Sequence, residues 1–390
     1  MVLANGDIVQ ASPKSHADLF WAIRGGGGGN FGVVTRLQFK LQPLRMAYYR
    51  FNFCWERNDM KKVIEKWLEI QKEFPGELTS FLRITALADD QIEGENFPLY
   101  ASGTFTGKVI DFLKLAKLLD RLPKPKKQKY GYKKGSEWKY VTKRNDIWII
   151  LKDFFDVSNE AISSMKSIIE LYSYDSDNSS QNEEDKTTLP ESKEKCKVAY
   201  PESNCGAPHP HKVTSAFSNQ TGKAYYRQVA DSVTEYFENT VDVAPENYFR
   251  YVRSYLTFHS MGGAMAEIPN SESAFAFRDS EFLIQIQSWW NYPTGETGKD
   301  CRKEKKWQQP YIDWVTNFRR KLAEKNLVKG AFINFVDKDL GPDYTTDEGK
   351  YELLKEYYGD NLDELIKVKK AYDSGNVFNF ELSIPTEKPK

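Results

Sequence analysis

An α+β fold, with a mostly antiparallel sheet covered on one face by helices, is the class this sequence predicts, on three observations. Short runs with alternating apolar residues are interleaved with amphipathic helix patterns in the order β-α-β-β-α. The chain is 390 residues long with 14% aromatic residues, which is enough apolar surface for one large or two ordinary domains. Gly and Pro end several of these runs, at Gly25 to Gly29, Pro43 and Pro75-Gly76.

The elements follow in order. Val2 to Ala4, Asn5-Gly6 and Asp7 to Val9 read as a hairpin, with Asn-Gly supplying the positive backbone angles of a tight turn. A two-stranded hairpin is marginal in water, so these strands want neighbours from upstream or from far downstream. His16 to Ile23 reads as a helix with Leu19, Phe20 and Ile23 on one face, stopped by Arg24 and the five glycines Gly25 to Gly29. Val33 to Leu41 alternates, with Leu37, Phe39 and Leu41 on one side, and reads as a half-buried strand closed by Pro43. Tyr49, Phe51 and Phe53 share a strand face. Met60, Val63, Ile64, Trp67 and Leu68 make a helix stripe that Pro75-Gly76 ends. Strands near Thr79–Ala86 and Leu99–Thr106 follow, then a helix carrying Phe112, Leu115, Ala116 and Leu119. Residues 173–212 are too polar to bury anything and read as a surface insertion. Strands resume near Val213–Phe217, Phe249–Phe258 and Phe282–Gln287, with helices near Lys223–Glu238 and Ile312–Ala323.

Composition narrows the partner. Lys+Arg and Asp+Glu are equal at 55 each, so no basic field points to nucleic acid, and a small molecule is the expected ligand. No apolar run approaches a membrane span, and the first thirty residues lack the pattern of a secretory leader. Cys196 and Cys205 either pair in an oxidising compartment or stay free thiols. Asn178 and Asn219 stand in glycosylation triplets that matter only in a secreted protein. His209-Pro210-His211 near those cysteines matches no closed zinc pattern, and no metal is expected.

Gly27-Gly28-Gly29-Asn30-Phe31-Gly32 formally matches a dinucleotide fingerprint, but a helix precedes it and a strand pattern follows, the reverse of the order a Rossmann site requires. What remains is a loop whose missing side chains admit close approach of something large and flat or charged. Trp289 and Trp290 fit a ring-holding role or, more simply, a core or rim role.

Asp18-Leu19-Phe20-Trp21-Ala22-Ile23-Arg24, the glycines and Asn30-Phe31-Gly32-Val33-Val34-Thr35 resemble the end of the FAD-binding domain (PCMH or vanillyl-alcohol oxidase type) of berberine bridge enzyme-like flavoproteins. Tyr357-Tyr358-Gly359-Asp360-Asn361, Leu365, Val368-Lys369, Tyr372-Asp373, Asn376-Val377-Phe378-Asn379-Phe380 and Ser383-Ile384-Pro385 resemble the carboxy-terminal signature of the same family. Gly262-Gly263-Ala264 and Gly330 to Phe335 fall where it has related motifs.

This resemblance implies FAD as cofactor, held by a domain built from both ends of the chain. It implies a substrate domain between those ends, with a boundary near residue 45, a middle domain over 46–330 and a returning segment over 331–385. It also implies that the flavin-binding half preceding Met1, with its covalent attachment site, is absent from this chain, and that a full-length relative is secreted.

By the same resemblance Gly27, Gly28, Gly29, Asn30, Gly32, Val34 and Asn376 would contact the cofactor, and Gln285 and Asn334 would serve catalysis. Phe332 and Phe335 stand where many relatives have tyrosine, and a phenyl ring cannot take a proton. Phe275-Ala276-Phe277-Arg278 resembles a Phe-Pro-His-Arg motif without its histidine. Read from the residues alone, Gln285 lies off the apolar face of its strand and points to solvent or to a cavity. Asn334 reads equally well as a buried, hydrogen-bonded residue at a strand end. Two functions follow: oxidation of an alcohol or carbohydrate hydroxyl by hydride transfer to flavin, or an inactive remnant that keeps only a small-molecule-binding domain.

Overall fold

The computed structural model of the chain describes residues 1–41, 48–73, 76–86, 97–107, 109–134, 137–141, 158, 210–240, 253–290 and 305–389. Within them, nine strands form one sheet in which every paired neighbour is antiparallel: β1 (Tyr48–Trp55), β2 (Leu78–Thr85), β3 (Leu99–Phe105), β4 (Lys127–Lys134), β5 (Glu137–Val141), β6 (His211–Ser218), β7 (Arg253–Ser260), β8 (Phe282–Trp289) and β9 (Val328–Lys329). Their spatial order is β5-β4-β1-β3-β2-β7-β8-β6-β9, so β2 and β7, far apart in sequence, meet at the middle.

One face of this sheet is apolar because alternate residues point the same way. Phe51 and Phe53 stack at 4.9 Å on β1, and Leu82, Ile84, Leu256, Phe258, Ile284 and Ile286 continue the layer across the sheet. Three helices cover it. The stripe Met60, Val63, Ile64, Trp67 and Leu68 of α2 (Met60–Glu73) is wholly buried, and Trp67 lies 6.0 Å from Phe258, ring to ring. The helices α4 (Lys223–Thr240) and α6 (Lys305–Glu324) lock together where Tyr236 and Phe318 stack at 4.0 Å. The short helix α3 (Val109–Leu119) adds Leu115 to the same core, and the single-turn α5 (Ala264–Glu267) follows β7. Each large side chain buried this way contributes roughly 1.5–3 kcal/mol relative to exposure, which is why helix and sheet patterns had to face each other.

A second core joins the two ends of the chain. Leu19 and Ala22 of α1 (Ala17–Ala22) pack with Leu353, Leu354, Tyr357 and Tyr358 of α7 (Asp347–Tyr358) and with Leu365, Ile366 and Val368 of α8 (Leu362–Tyr372). Ile384 closes it from the last segment. The N-terminal hairpin bridges Val2 to Ile8 and, on its other side, Val2 to Val33. Its turn differs in detail from the Asn-Gly expectation. Only Gly6 has a positive φ (87°), and the loop closes through the Gly6 N–H to Leu3 O (3.0 Å) and the Leu3 N–H to Asp7 O (2.9 Å), a three-residue hairpin loop.

Two expectations require correction. Val33 to Leu41 does not form the expected half-buried strand: only Val33 makes a bridge, and Leu37, Phe39 and Leu41 are 67%, 77% and 89% exposed. Alternation specifies which side chains share a face, but a strand also needs a neighbour for its backbone donors and acceptors, and none lies beside 34–41 among the described residues. The expected surface insertion ends earlier than residue 212, since His211 and Lys212 already pair with Trp289 and Ser288 in β6. Residues 173–209, with Asn178, Cys196, Cys205 and His209, lie outside the described residues, as do Pro43, Pro75 and 249–252.

Candidate functional site

The site begins where α1 ends. The Gly26 N–H donates to Ala22 O at 2.8 Å, and the chain then turns through the glycine run with φ of 77° at Gly27 and 75° at Gly29, a region L side chains rarely occupy. Gly25 is required for a different reason. A Cβ there would stand 2.2 Å from the backbone nitrogen of Phe275, so the loop and the 274–277 segment approach each other at backbone distance.

The carboxy-terminal segment fixes this loop. Tyr358 Oη donates to Gly26 O at 3.1 Å, and Asn30 Nδ2 donates to the same carbonyl at 2.9 Å. Asn30 Oδ1 accepts from the Ile384 N–H at 2.9 Å, and Lys369 Nζ donates to Asn30 O at 2.8 Å and to Phe378 O at 2.7 Å. Lys369 is paired with Asp373 at 2.7 Å, both side chains at 0% exposure. Asp373 also accepts from the Val377 and Phe378 N–H groups at 2.7 and 2.9 Å. Burial by itself raises the Asp373 pKa, but the Lys369 hydrogen bond and the two amides outweigh it and hold the carboxyl below its ordinary value. Burial pushes the Tyr358 phenol well up, so it remains a neutral donor.

A cavity of about 300 Å³ opens beside the loop, lined by Gly27, Gly28, Gly29, Asn30, Gly32, Val34 and Asn334, with Ile23, Phe275, Phe332 and Ile333 as apolar walls. A Cβ at Gly28 would meet nothing within 4 Å, so that position faces open space. Six of the seven expected cofactor contacts therefore share one cavity. Asn30 nevertheless spends its carboxamide on Gly26 and Ile384, so its side chain acts as a staple for the loop. Asn376, the seventh, is not part of the lining; its φ is 51°, and its Oδ1 is buried without a hydrogen-bond partner. Asn334 lies exposed in the turn closed by the Phe335 N–H to Phe332 O (2.9 Å), which removes the reading of a buried residue at a strand end.

Gln285 lies outside the cavity lining, on the face of the sheet away from the helices. The two places are joined: the Phe332 N–H donates to Ser215 Oγ at 2.8 Å, and Ser215 pairs with Gln285 across β6 and β8. Phe332 also packs edge-on against Phe217, 6.3 Å away, in a small aromatic cluster with Phe275, Phe277 and Leu283. Gln285 Nε2 donates to Gln287 Oε1 at 3.1 Å, and its Oε1 lies 3.1 Å from His259 Nε2. His259 was not singled out from sequence, because its proximity to Gln285 depends on the β7–β8 register, 26 residues apart. Burial depresses the His259 pKa, the Gln285 bond opposes that, and the nearby Arg83 cation depresses it further. Arg83 Nε donates to Thr257 Oγ1 at 3.3 Å, and its guanidinium sits 4.5 Å over the Tyr255 ring. Trp289 and Trp290 have plain packing roles, stacked on His211 at 4.3 Å and on Tyr311 at 5.4 Å.

Residues 331–385 match the family model described as berberine and berberine like. The match is confined to this carboxy-terminal segment. The chain is 23% identical to an uncharacterized FAD-linked oxidoreductase, YgaK, of Bacillus subtilis (strain 168) over 379 residues, covering 97% of this chain and 61% of that protein. It is also 23% identical to berberine bridge enzyme-like 25 of Arabidopsis thaliana over 402 residues, covering 99% of this chain and 60% of that one. A solved chitooligosaccharide oxidase superposes with a TM-score of 0.59 at 18% identity, covering all of this chain and 65% of its own, which is a likeness of fold. The chain thus spans about 60–65% of the length of these relatives. Among the described residues no helix is long and apolar enough to cross a membrane.

The donor set of this cavity fits a flavin on two counts. The glycine loop leaves flat, side-chain-free space at Gly28 between the apolar walls Phe275 and Phe332, and Asn334 and the loop backbone offer polar contacts at the rim.

Proposed function

We propose that this chain supplies part of a FAD-dependent oxidoreductase that oxidises an alcohol or carbohydrate hydroxyl. The single observation that carries the reading is the cavity whose loop is held by the last segment of the chain and whose wall, Phe332, is tied to the polar face of the sheet. In this reading residues 1–45 and 331–385 together hold the cofactor, and 46–330 forms the substrate domain. Similarity to relatives named as FAD-linked oxidoreductases supports the cofactor, and the fold shared with a chitooligosaccharide oxidase supports a sugar hydroxyl as substrate.

Flavin, when bound, supplies a hydride acceptor. The residues of this chain do the rest. Gly27 to Gly29 would admit the group close to the backbone, and Phe275 and Phe332 would supply apolar walls that exclude water. Gln285, held by His259 and Gln287, presents a fixed amide to a hydroxyl lying on the sheet face, and Asn334 offers a second amide at the rim.

The test is a titration of the purified chain with FAD, read as a shift of the flavin absorbance bands and co-elution on gel filtration, beside the variant Gly28→Trp. Saturable uptake that the tryptophan abolishes is expected. A folded chain that stays colourless at high FAD would sink the proposal. The replacement of tyrosine by Phe332 and Phe335 favours a second reading, a site that binds but does not turn over. Uptake of FAD with no reduction by glucose, cellobiose or benzyl alcohol under nitrogen would select it.

A further inference from the structure

The sheet face under the cavity holds a group that neither the glycine loop nor the terminal segment explains. Phe217, Leu283 and His259 form one row of directly paired residues across β6, β8 and β7. Phe332, from the cavity wall, packs on the first of them. Two strand spacings, roughly 10 Å, separate Phe217 from His259.

The hydrogen bonds settle the state of the ring. Because Gln285 Nε2 donates to Gln287, its Oε1 is the acceptor facing His259, and an acceptor there requires the imidazole proton on Nε2. Nδ1 then carries the lone pair, and among the described residues it has no hydrogen-bond partner. The groups around the ring keep it neutral. Arg83 on β2 repels a second positive charge, burial disfavours it, and only the Gln285 carbonyl favours it. Phe81 and Leu283, its direct partners on β2 and β8, are uncharged, and Tyr255 on its own strand lies under the Arg83 guanidinium.

Several neighbouring groups are less suited to accept a proton. Phe332 and Phe335 cannot, Arg83 is a fixed cation, Tyr100 donates its hydroxyl to Asn52 at 3.0 Å, and His211 is stacked on Trp289 at the strand end.

We infer that His259 is the proton acceptor of the oxidation, a role that rests on the flavin-linked reading above. The substrate O–H bond breaks and its proton passes to His259 Nδ1. The adjacent C–H bond breaks with its electron pair, and the hydride passes to the bound oxidised flavin. The carbonyl forms, so the alcohol is oxidised and the flavin reduced by two electrons. Gln285 is the positioning residue that fixes the ring tautomer.

The experiment uses the full chain, its His259→Gln and Gln285→Leu variants, and two readouts. The chain has four histidines, so ¹⁵N-histidine NMR resolves the His259 ring by its disappearance in His259→Gln. The expected result is a ring that titrates below the ordinary value of 6.5 and shifts when Gln285 is replaced. A ring that titrates at or above that value, or ignores Gln285→Leu, overturns the inference without reference to flavin or substrate.

The second readout is anaerobic flavin reduction by glucose, cellobiose and benzyl alcohol across pH. The wild-type rate should fall as pH drops through the His259 pKa. His259→Gln should lose about 100-fold or more with unchanged FAD affinity and no pH break. If His259→Gln does not fold, His259→Asn replaces it. A wild-type chain that takes up no FAD, or is reduced by none of the probes, defeats the functional reading itself. A wild type that is reduced while the variant keeps its rate and pH profile defeats only the role of His259.

Discussion

At the scale of single residues, the Lys369–Asp373 pair decides most. It is fully buried, and its remaining bonding capacity goes to Asn30 O, Phe378 O and two backbone N–H groups, so breaking it leaves an unpaired charge in the core. Asp373→Asn should therefore cost about 3–5 kcal/mol in urea denaturation. The same substitution at Asp363, half exposed and paired with Lys388, should cost less than about 1 kcal/mol. The sign of the pH effect follows. The folded-state pKa of Asp373 lies below its unfolded value, so its contribution is complete above the ordinary Asp range of about 4 and is lost as pH falls through the folded pKa. An acid titration of stability should show a limb in wild type that Asp373→Asn lacks. An i,i+4 Lys-Asp spacing was visible in the sequence, but only the fold shows that this helix face is dry. For Gln285, parity placed it off the apolar face, whereas the choice between solvent and cavity required His259 from another strand.

At the scale of elements, the strand and helix stripes were readable because burial imposes a period of two or of 3.6 on consecutive residues, as at Phe51/Phe53 and Val63/Ile64/Trp67. Val33 to Leu41 carries the same signal and misled, since pairing is a property of two segments. Its exposed side chains carry a prediction: Leu37→Lys should leave stability within about 0.5 kcal/mol by thermal denaturation, as the side chain is 67% exposed. Helix α7 makes the opposite case. Thr346 caps it, its hydroxyl accepting from the Gly349 N–H at 3.0 Å, and Thr346→Ala should cost about 1 kcal/mol. Because α7 carries Tyr358, the same variant should loosen the glycine loop, seen as faster amide exchange at Gly26.

At the scale of the molecule, there are two main cores. The larger unites strands β1 to β3 and β6 to β9 with α2, α3, α4 and α6, and the smaller unites the two ends of the chain with Ala274 between them. A ligand that engages the glycine loop binds the smaller core only when the ends are joined. FAD at about 100 times its dissociation constant should therefore stabilise the folded chain by about 2.7 kcal/mol, read as a concentration-dependent rise in Tm. The α+β class was legible from the order of short elements. The order of strands was not, because nothing local in residues 78–85 announces that their partner lies at 253–260.

The staple from Ile384 to Asn30 spans 354 residues. During synthesis Gly26 leaves the ribosome 332 residues ahead of its anchor Tyr358, and Asn30 leaves 339 and 354 residues ahead of Lys369 and Ile384. At roughly 5–20 residues per second the loop waits many seconds for the groups that shape it. The loop is therefore fixed only once Ile384 has emerged, and a ribosome stalled before Lys369 holds a nascent chain whose sheet can already assemble but whose glycine cradle still lacks its anchors.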